Sequence, residues 1–247
     1  RWHSVVGCWP SSPGGRGARR RRSSRHRGRW IGSRPNLAAF SFYATKNLTT
    51  AEGGALTGDP QLLERARVLA LHGMSKDAWR RFDKAGSWAY DIVEPGFKYN
   101  MTDIQAALGM HQLRKLEGFH RRRREVVARY TEAFAPVPAL EPPCELPDAS
   151  SSWHLYVLRL RPEHLTIDRN AFIEELKDRN VGTSVHYRPL HMMSFYAEKY
   201  GYRPDDFPVA RDAFERMVSL PLHPRLSDDD VADVIDTVLD VVERHAA

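Results

Sequence analysis

A chain of 247 residues is long enough for one large or two modest domains with a buried core. With 42% hydrophobic and 28% charged residues it has the composition of a globular protein, which excludes a disordered, collagenous or disulfide-stapled chain. The net charge of +6 belongs to one end: residues 1–40 hold ten arginines and no lysine or acid, leaving 27 Lys+Arg against 31 Asp+Glu over residues 41–247, a net of −4.

Residues 1–28 show no helical or strand periodicity and include the unbroken run Arg19 to Arg22. Three readings stand open: an arginine-rich nucleic-acid arm, a disordered extension, or the product of a shifted GC-rich reading frame. Such an arm usually precedes a basic domain, and this one precedes an acidic one, so nucleic acid is not the expected partner. Cys8 and Cys144 are too few and too far apart for a disulfide framework or a zinc cluster, no run reaches the ~18 apolar residues of a membrane span, and the N-terminus lacks the apolar core of a signal peptide. A cytoplasmic protein without a membrane partner is expected.

From Arg29 the sequence reads as ordinary protein. Residues 36–43 form a predicted strand, apolar enough for burial on both faces, and residues 55–57 a second short one. Asp59-Pro60 opens a helix, Asp as N-cap and Pro in the first turn, with Leu62, Leu63, Ala66, Leu69 and Ala70 at helical spacing until Gly73. Residues 74–99 are aromatic-rich with no clear period, and loops of that length usually carry function or an interface. Thr102 begins a long helix with Gln105 in capping-box position; Ile104, Leu108, Leu113, Leu116, Val127, Tyr130 and Phe134 mark its buried side, and Arg121 to Arg124 read as a solvated face.

The proline-rich segment Pro136 to Pro147 reads as a connection between domains. Beyond it strand and helix alternate: strand 153–160, helix 168–179, strand 182–186, helix 208–217, and a last helix capped by Ser227. These make a small α/β domain. No repeat and no metal-spaced cluster is present, so no metal ligand is expected; His186 and His191 lack the i,i+4 relation.

The segment with chemistry is Ser41-Phe-Tyr-Ala-Thr-Lys46-Asn, followed by Ala51-Glu52-Gly53-Gly54. Most lysines after a strand are surface lysines. Lys46 follows a run of buried character, has a hydroxyl five residues upstream and precedes a Gly-Gly turn where backbone can approach a ligand. A buried amine is nucleophilic, as a Schiff-base lysine must be, and Ser41 is placed to offer its hydroxyl to a phosphate. The constellation suits pyridoxal phosphate.

Through FSFYATKN, AEGG, LHGM, PGFKYNMTDIQAALG, WHLYVLRL and VGTSVHYRPLH, in order over more than 200 residues, the chain resembles the DegT/DnrJ/EryC1/StrS sugar aminotransferases, most of all those that aminate C4 of nucleotide-linked keto-sugars, the 4-amino-4-deoxy-arabinose type among them. The resemblance implies an α/β, fold-type-I pyridoxal phosphate transferase with an incomplete large domain. It places the rear part of that domain at residues 29–134 and the small domain at 135–247, behind the non-homologous tail 1–28. It implies Lys46 as the Schiff-base lysine that later moves the proton, Ser41 on the cofactor phosphate, and Asn100 on the phosphate of the neighbouring subunit's cofactor, hence a homodimer. His186 and Tyr187 match the stretch lining the sugar end of the pocket, the alternative being a satisfied histidine and a packed tyrosine. His72 and the loop from Met74 to Tyr99 look like interface and substrate-gate elements. A dehydratase branch carries histidine where this chain has Lys46, so the lysine implies amino transfer from L-glutamate to a nucleotide-activated sugar, in cell-envelope polysaccharide synthesis.

The resemblance also implies a phosphate loop, an aromatic ring on the pyridine and an aspartate on the pyridine nitrogen ahead of Arg29, and residues 1–28 contain none of them. A truncated or frameshifted chain with impaired activity is the expectation. A non-catalytic relative that binds a partner subunit or sugar nucleotide, and a nucleic-acid binder acting through the tail, are the readings from other classes.

Overall fold

The computed structural model describes residues 24–34, 36–75 and 90–247. Most of the arginine-rich tail and the middle of the 74–99 stretch lie outside the described residues. In chain order the elements are strands β1 (Arg25–His26), β2 (Arg29–Trp30), β3 (Ala38–Ser41) and β4 (Gly54–Thr57), then helices α1 (Pro60–Ala70) and α2 (Asp103–Phe134). Strands β5 (Leu140–Glu141), β6 (Ala149–Ser150) and β7 (Tyr156–Leu160) follow, then helices α3 (Arg169–Asp178), α4 (Ser194–Tyr200) and α5 (Pro208–Arg216), strand β8 (Met217–Leu220) and helix α6 (Asp228–Arg244). No described helix is long and apolar enough to cross a membrane.

The chain divides into two compact units. The first holds the described residues up to Gly118 together with Leu146–Ser152; the second holds Phe119–Glu145 and Trp153–Ala247. The division falls inside α2, sixteen residues before the boundary read from the sequence at residue 134, because only the later turns of that helix enter the second unit's core.

In the first unit, β1 pairs antiparallel with both β2 and β6, so residues 25–26, counted with the tail in the sequence, belong to a hairpin that runs through the expected boundary at residue 28. β3 and β4 form a two-stranded antiparallel pair in which Ser41 faces Gly54. Along β3 half-buried and exposed residues alternate, so the strand is not buried on both faces; its two-stranded sheet is covered on one side. Asp59 caps α1 by accepting from the Gln61 and Leu62 amides at 2.9 and 3.1 Å. The chain leaves α1 through Gly73 (φ +69°), where a Cβ would lie 1.6 Å from the Glu94 carbonyl oxygen. That close approach lets residues 92–99 return along the helix end: the His72 amide donates to Phe97 O, the Phe97 amide to Leu69 O and the Tyr99 amide to Ala70 O, at 2.7 to 2.8 Å. Apolar side chains at the start of α2 stay uncovered: Ile104 is 84% exposed and Leu108 is exposed, although the period assigned both to a buried side.

The second unit is built on the antiparallel sheet β5-β7-β8. Tyr156, Leu158 and Leu160 alternate inward along β7 and meet Val126, Tyr130 and Phe134 of α2, Phe172 and Leu176 of α3 and Val231, Val238 and Val241 of α6 in one core. Two tyrosine hydroxyls enter this core with partners. Tyr130 donates to the Pro221 carbonyl at 3.0 Å, and Tyr156 bonds Thr131 Oγ1 at 3.2 Å, burial pushing its phenol up to about 12. Three expectations change here. The proline-rich connection contains β5, whose Leu140 is buried in the core. Residues 182–186 form no strand; only Ser184 bridges, to Ser219 of β8, because the rest of the segment leaves the sheet edge. Arg123 of the arginine run is 6% exposed, its guanidinium donating to the carbonyls of Trp153, His154 and Leu222 at 2.7 to 3.3 Å. A long aliphatic stem on the core side of a helix, with carbonyls around one end of the guanidinium, holds a buried arginine without a carboxylate, its Nε left without a partner among the described residues.

Candidate functional site

The turn after β3 closes on itself. The Phe42 amide donates to Gly53 O at 2.8 Å, the Thr50 amide to Phe42 O at 2.9 Å and the Lys46 amide to Tyr43 O at 2.9 Å, while Thr49 Oγ1 adds a bond to Phe42 O at 3.2 Å. Gly53 (φ +152°) is needed where it stands, since a Cβ would meet Thr50 Oγ1 at 2.3 Å. The Thr50 hydroxyl donates to Glu52 O at 2.7 Å, and Gln105 Nε2 donates to the same carbonyl at 3.0 Å, tying the turn to the start of α2.

Ser41 and Lys46 are thus carried by one strand-turn element. Ser41 is exposed, its Oγ accepting from the Tyr43 amide at 3.3 Å, which leaves the hydroxyl proton for a ligand. Lys46 is half-buried rather than buried, and its ammonium has no hydrogen-bond or ion-pair partner among the described residues. A primary amine with no competing carboxylate and an exposed hydroxyl on the same turn fit the two ends of a phosphate-bearing aldehyde such as pyridoxal phosphate.

Asn100 sits between the returning segment and α2. Its Oδ1 accepts from Lys98 Nζ at 2.6 Å, so its amide N–H groups are the side left for an incoming acceptor. Phe97 and Tyr99 stack beside it with centroids 4.9 Å apart. Two residues further on, Thr102 and Gln105 form the expected capping box, Thr102 N to Gln105 Oε1 at 3.0 Å and Gln105 N to Thr102 Oγ1 at 3.3 Å. The Gln105 side chain therefore links the Asn100 segment to the Lys46 turn. His72, expected at an interface, holds φ +59° beside Gly73.

His186 and Tyr187 belong to the second unit. His186 is half-buried, with Nδ1 2.8 Å from Ser219 Oγ, and Tyr187, 67% exposed, sets its ring edge-on at 4.8 Å and 90°. The backbones of Ser184 and Ser219 exchange two hydrogen bonds, at 2.8 and 3.2 Å, which pins this segment to β8. Sequence reasoning missed Lys98 and Ser219. Lys98 stood in the KYN motif beside Asn100; Ser219 is a lone hydroxyl in the apolar run Met217-Val-Ser-Leu220, the one signal that could have found it.

The model of the DegT/DnrJ/EryC1/StrS aminotransferase family matches residues 22–239. The spore coat polysaccharide biosynthesis protein SpsC of Bacillus subtilis is 49% identical over 217 residues, 87% of this chain and 56% of SpsC. Among solved structures, the PMP-form of Spr1654 from Streptococcus pneumoniae superposes with a TM-score of 0.80 at 38% identity, covering 90% of this chain and 56% of its own. PseC of Helicobacter pylori, an aminotransferase involved in the biosynthesis of pseudoaminic acid, does so with 0.79 at 29%, covering 90% and 57%. The shared architecture is that of fold-type-I pyridoxal phosphate transferases. The chain spans a little over half the length of these relatives.

Proposed function

The chain belongs to the DegT/DnrJ/EryC1/StrS aminotransferase family, and from that premise we propose that it serves pyridoxal phosphate-dependent transfer of an amino group from L-glutamate to the keto group of a nucleotide-activated sugar. The observation that carries the proposal is the amine of Lys46, without a partner among the described residues, on the turn that follows the exposed Ser41 hydroxyl at the end of β3. When bound, the cofactor supplies an electron sink for the carbon that loses its proton. Lys46 would hold the cofactor through its amine, and Nζ, once freed by the incoming amino donor, would carry the proton removed from the amino-bearing carbon. The Ser41 hydroxyl donates to a phosphate oxygen. The amide N–H of Asn100, whose Oδ1 is taken by Lys98, donates to the phosphate held by a second copy of the chain, so the working form is a homodimer. His186 and Tyr187 take the sugar. The similarity to SpsC, a spore coat polysaccharide biosynthesis protein, supports a product destined for a surface polysaccharide.

The test is chemical trapping. Incubation with pyridoxal phosphate, borohydride reduction and peptide mapping is expected to put the label on Lys46, and Lys46→Ala is expected to abolish it. Equal labelling of Lys46→Ala, or label spread evenly over surface lysines such as Lys177 and Lys199, would overturn the assignment.

A further inference from the structure

Ser219 is 4% exposed, and its hydroxyl has a single hydrogen-bond partner among the described residues, His186 Nδ1 at 2.8 Å. A serine hydroxyl carries one proton, and a buried donor left without an acceptor is the costlier arrangement. With no other acceptor in reach among the described residues, the proton goes to Nδ1. The imidazole proton must then sit on Nε2, which has no hydrogen-bond partner among the described residues and is not sealed from solvent, so it is open to a ligand.

We propose that Ser219 is a positioning residue that fixes neutral His186 in its Nε2–H tautomer, so that His186 meets its ligand as a hydrogen-bond donor and not as a base. Three features hold the arrangement. Ser219 is embedded in β8 opposite Val157 of β7, its backbone is paired with Ser184 two residues before the histidine, and the Tyr187 ring stands edge-on to the imidazole. A donor at this point selects an oxygen acceptor, a hydroxyl or phosphate oxygen of a nucleotide sugar, and rejects a group that has only protons to give. This specificity rests on the reading of His186 as a sugar-binding residue; the tautomer does not.

The experiment is long-range proton–nitrogen correlation on the ¹⁵N-histidine-labelled full chain at a pH about two units above the ordinary imidazole value of ~6.5. His186 is assigned by its loss in His186→Gln. The wild type is expected to show the Nε2–H pattern. Ser219→Thr, which keeps the hydroxyl on a residue suited to a strand, is expected to retain it, and Ser219→Ala to show mixed tautomers. UDP-glucose is then expected to shift the Nε2–H proton in the wild type and in Ser219→Thr, with roughly tenfold weaker binding in Ser219→Ala. An Nδ1–H pattern in the wild type overturns the role of Ser219 without any variant, and so does a Ser219→Ala spectrum identical to wild type. If the tautomers behave as stated but UDP-glucose moves no His186 signal, the positioning role stands and the sugar-binding reading of His186 falls.

Discussion

Tyr130, Phe134, Tyr156 and Phe172 are sealed inside the second unit, whereas Tyr43, Tyr90, Phe97 and Tyr99 of the first stand exposed. The residue types are alike and their fates opposite. The second unit closes a three-stranded sheet with helices of its own and reaches the packing of a complete core. In the first, Ala70, Met74 and Leu116 are the buried apolar residues among those described, while Ile92, Val93, Ile104, Leu108 and Met110 face outward. Exposed apolar surface on that scale marks a surface that works by being covered, which accords with the proposed assembly around Asn100. The lysine turn lies in the unit with little core, whereas the proposed sugar-binding pair His186 and Tyr187 lies in the unit that holds the large one.

The largest expected effect tests that division directly. Phe172→Ala should cost the second unit about 3–5 kcal/mol through the cavity it leaves, while Ile104→Ala should stay within ~0.5 kcal/mol. Hydrogen exchange measures both, of amides in β7 and α6 for Phe172→Ala and of amides in α1 and the first turns of α2 for Ile104→Ala. A loss above 2 kcal/mol for Ile104→Ala would mean that the first unit has a core the exposure pattern does not show.

Next in size is a pH effect within the second unit. Burial first, then the charges of Arg123 and Arg124, lower the His120 imidazole to about 4, so it is neutral in the folded chain. The unfolded chain takes up that proton near ~6.5. Stability is therefore full above ~6.5 and falls as the pH drops toward 4. His120→Phe should flatten the slope of unfolding free energy across that window. An unchanged slope would assign the pH dependence to other groups.

Arg123→Met comes third, at about 1–3 kcal/mol, because three carbonyls lose their donor in a buried place. It also removes a charge that opposes protonation of His120, so below pH ~6.5 the double variant with His120→Phe should lose more stability in urea unfolding than the two single variants summed. Strict additivity would separate the two groups.

Local signals were the most legible in the sequence. Asp59-Pro60, the Thr102–Gln105 box, Asp168 and Ser227 all stand at the helix starts they announced, because a cap is decided by a few neighbouring residues. Strand partners were less so. β8 was missed since Met217-Val-Ser-Leu220 follows a helix without a break, and residues 182–186 were read as a strand although only Ser184 pairs. Arg123 went unread because burial of one arginine in a run of four depends on carbonyls thirty and ninety-nine residues away. In the site, the spacing of Ser41 and Lys46 was visible because one turn carries both. The bond from Ser219 to His186 joins positions thirty-three residues apart that only the sheet edge brings together.

The smallest effect compares two caps of the same chemistry. Asp59 accepts from two amides at the start of α1, and Ser227 accepts from Asp230 N at 3.0 Å at the start of α6 while the Ser227 amide donates to the Asp230 carboxylate at 2.7 Å. Each truncation to alanine should cost about 1 kcal/mol. The helices differ in what they bury: α6 sends Val231, Val234, Val238, Val241 and Val242 inward, whereas α1 buries Ala70. Ser227→Ala should therefore speed exchange across the whole second unit, its amides falling together because α6 opens only with the core. Asp59→Ala should speed exchange within residues 60–70 and leave β7 and α6 untouched, the mark of a helix that frays locally. If Asp59→Ala instead lowers protection in β7 and α6 by the same amount as Ser227→Ala, the two units unfold as one, and the contrast between them is one of surface and not of stability.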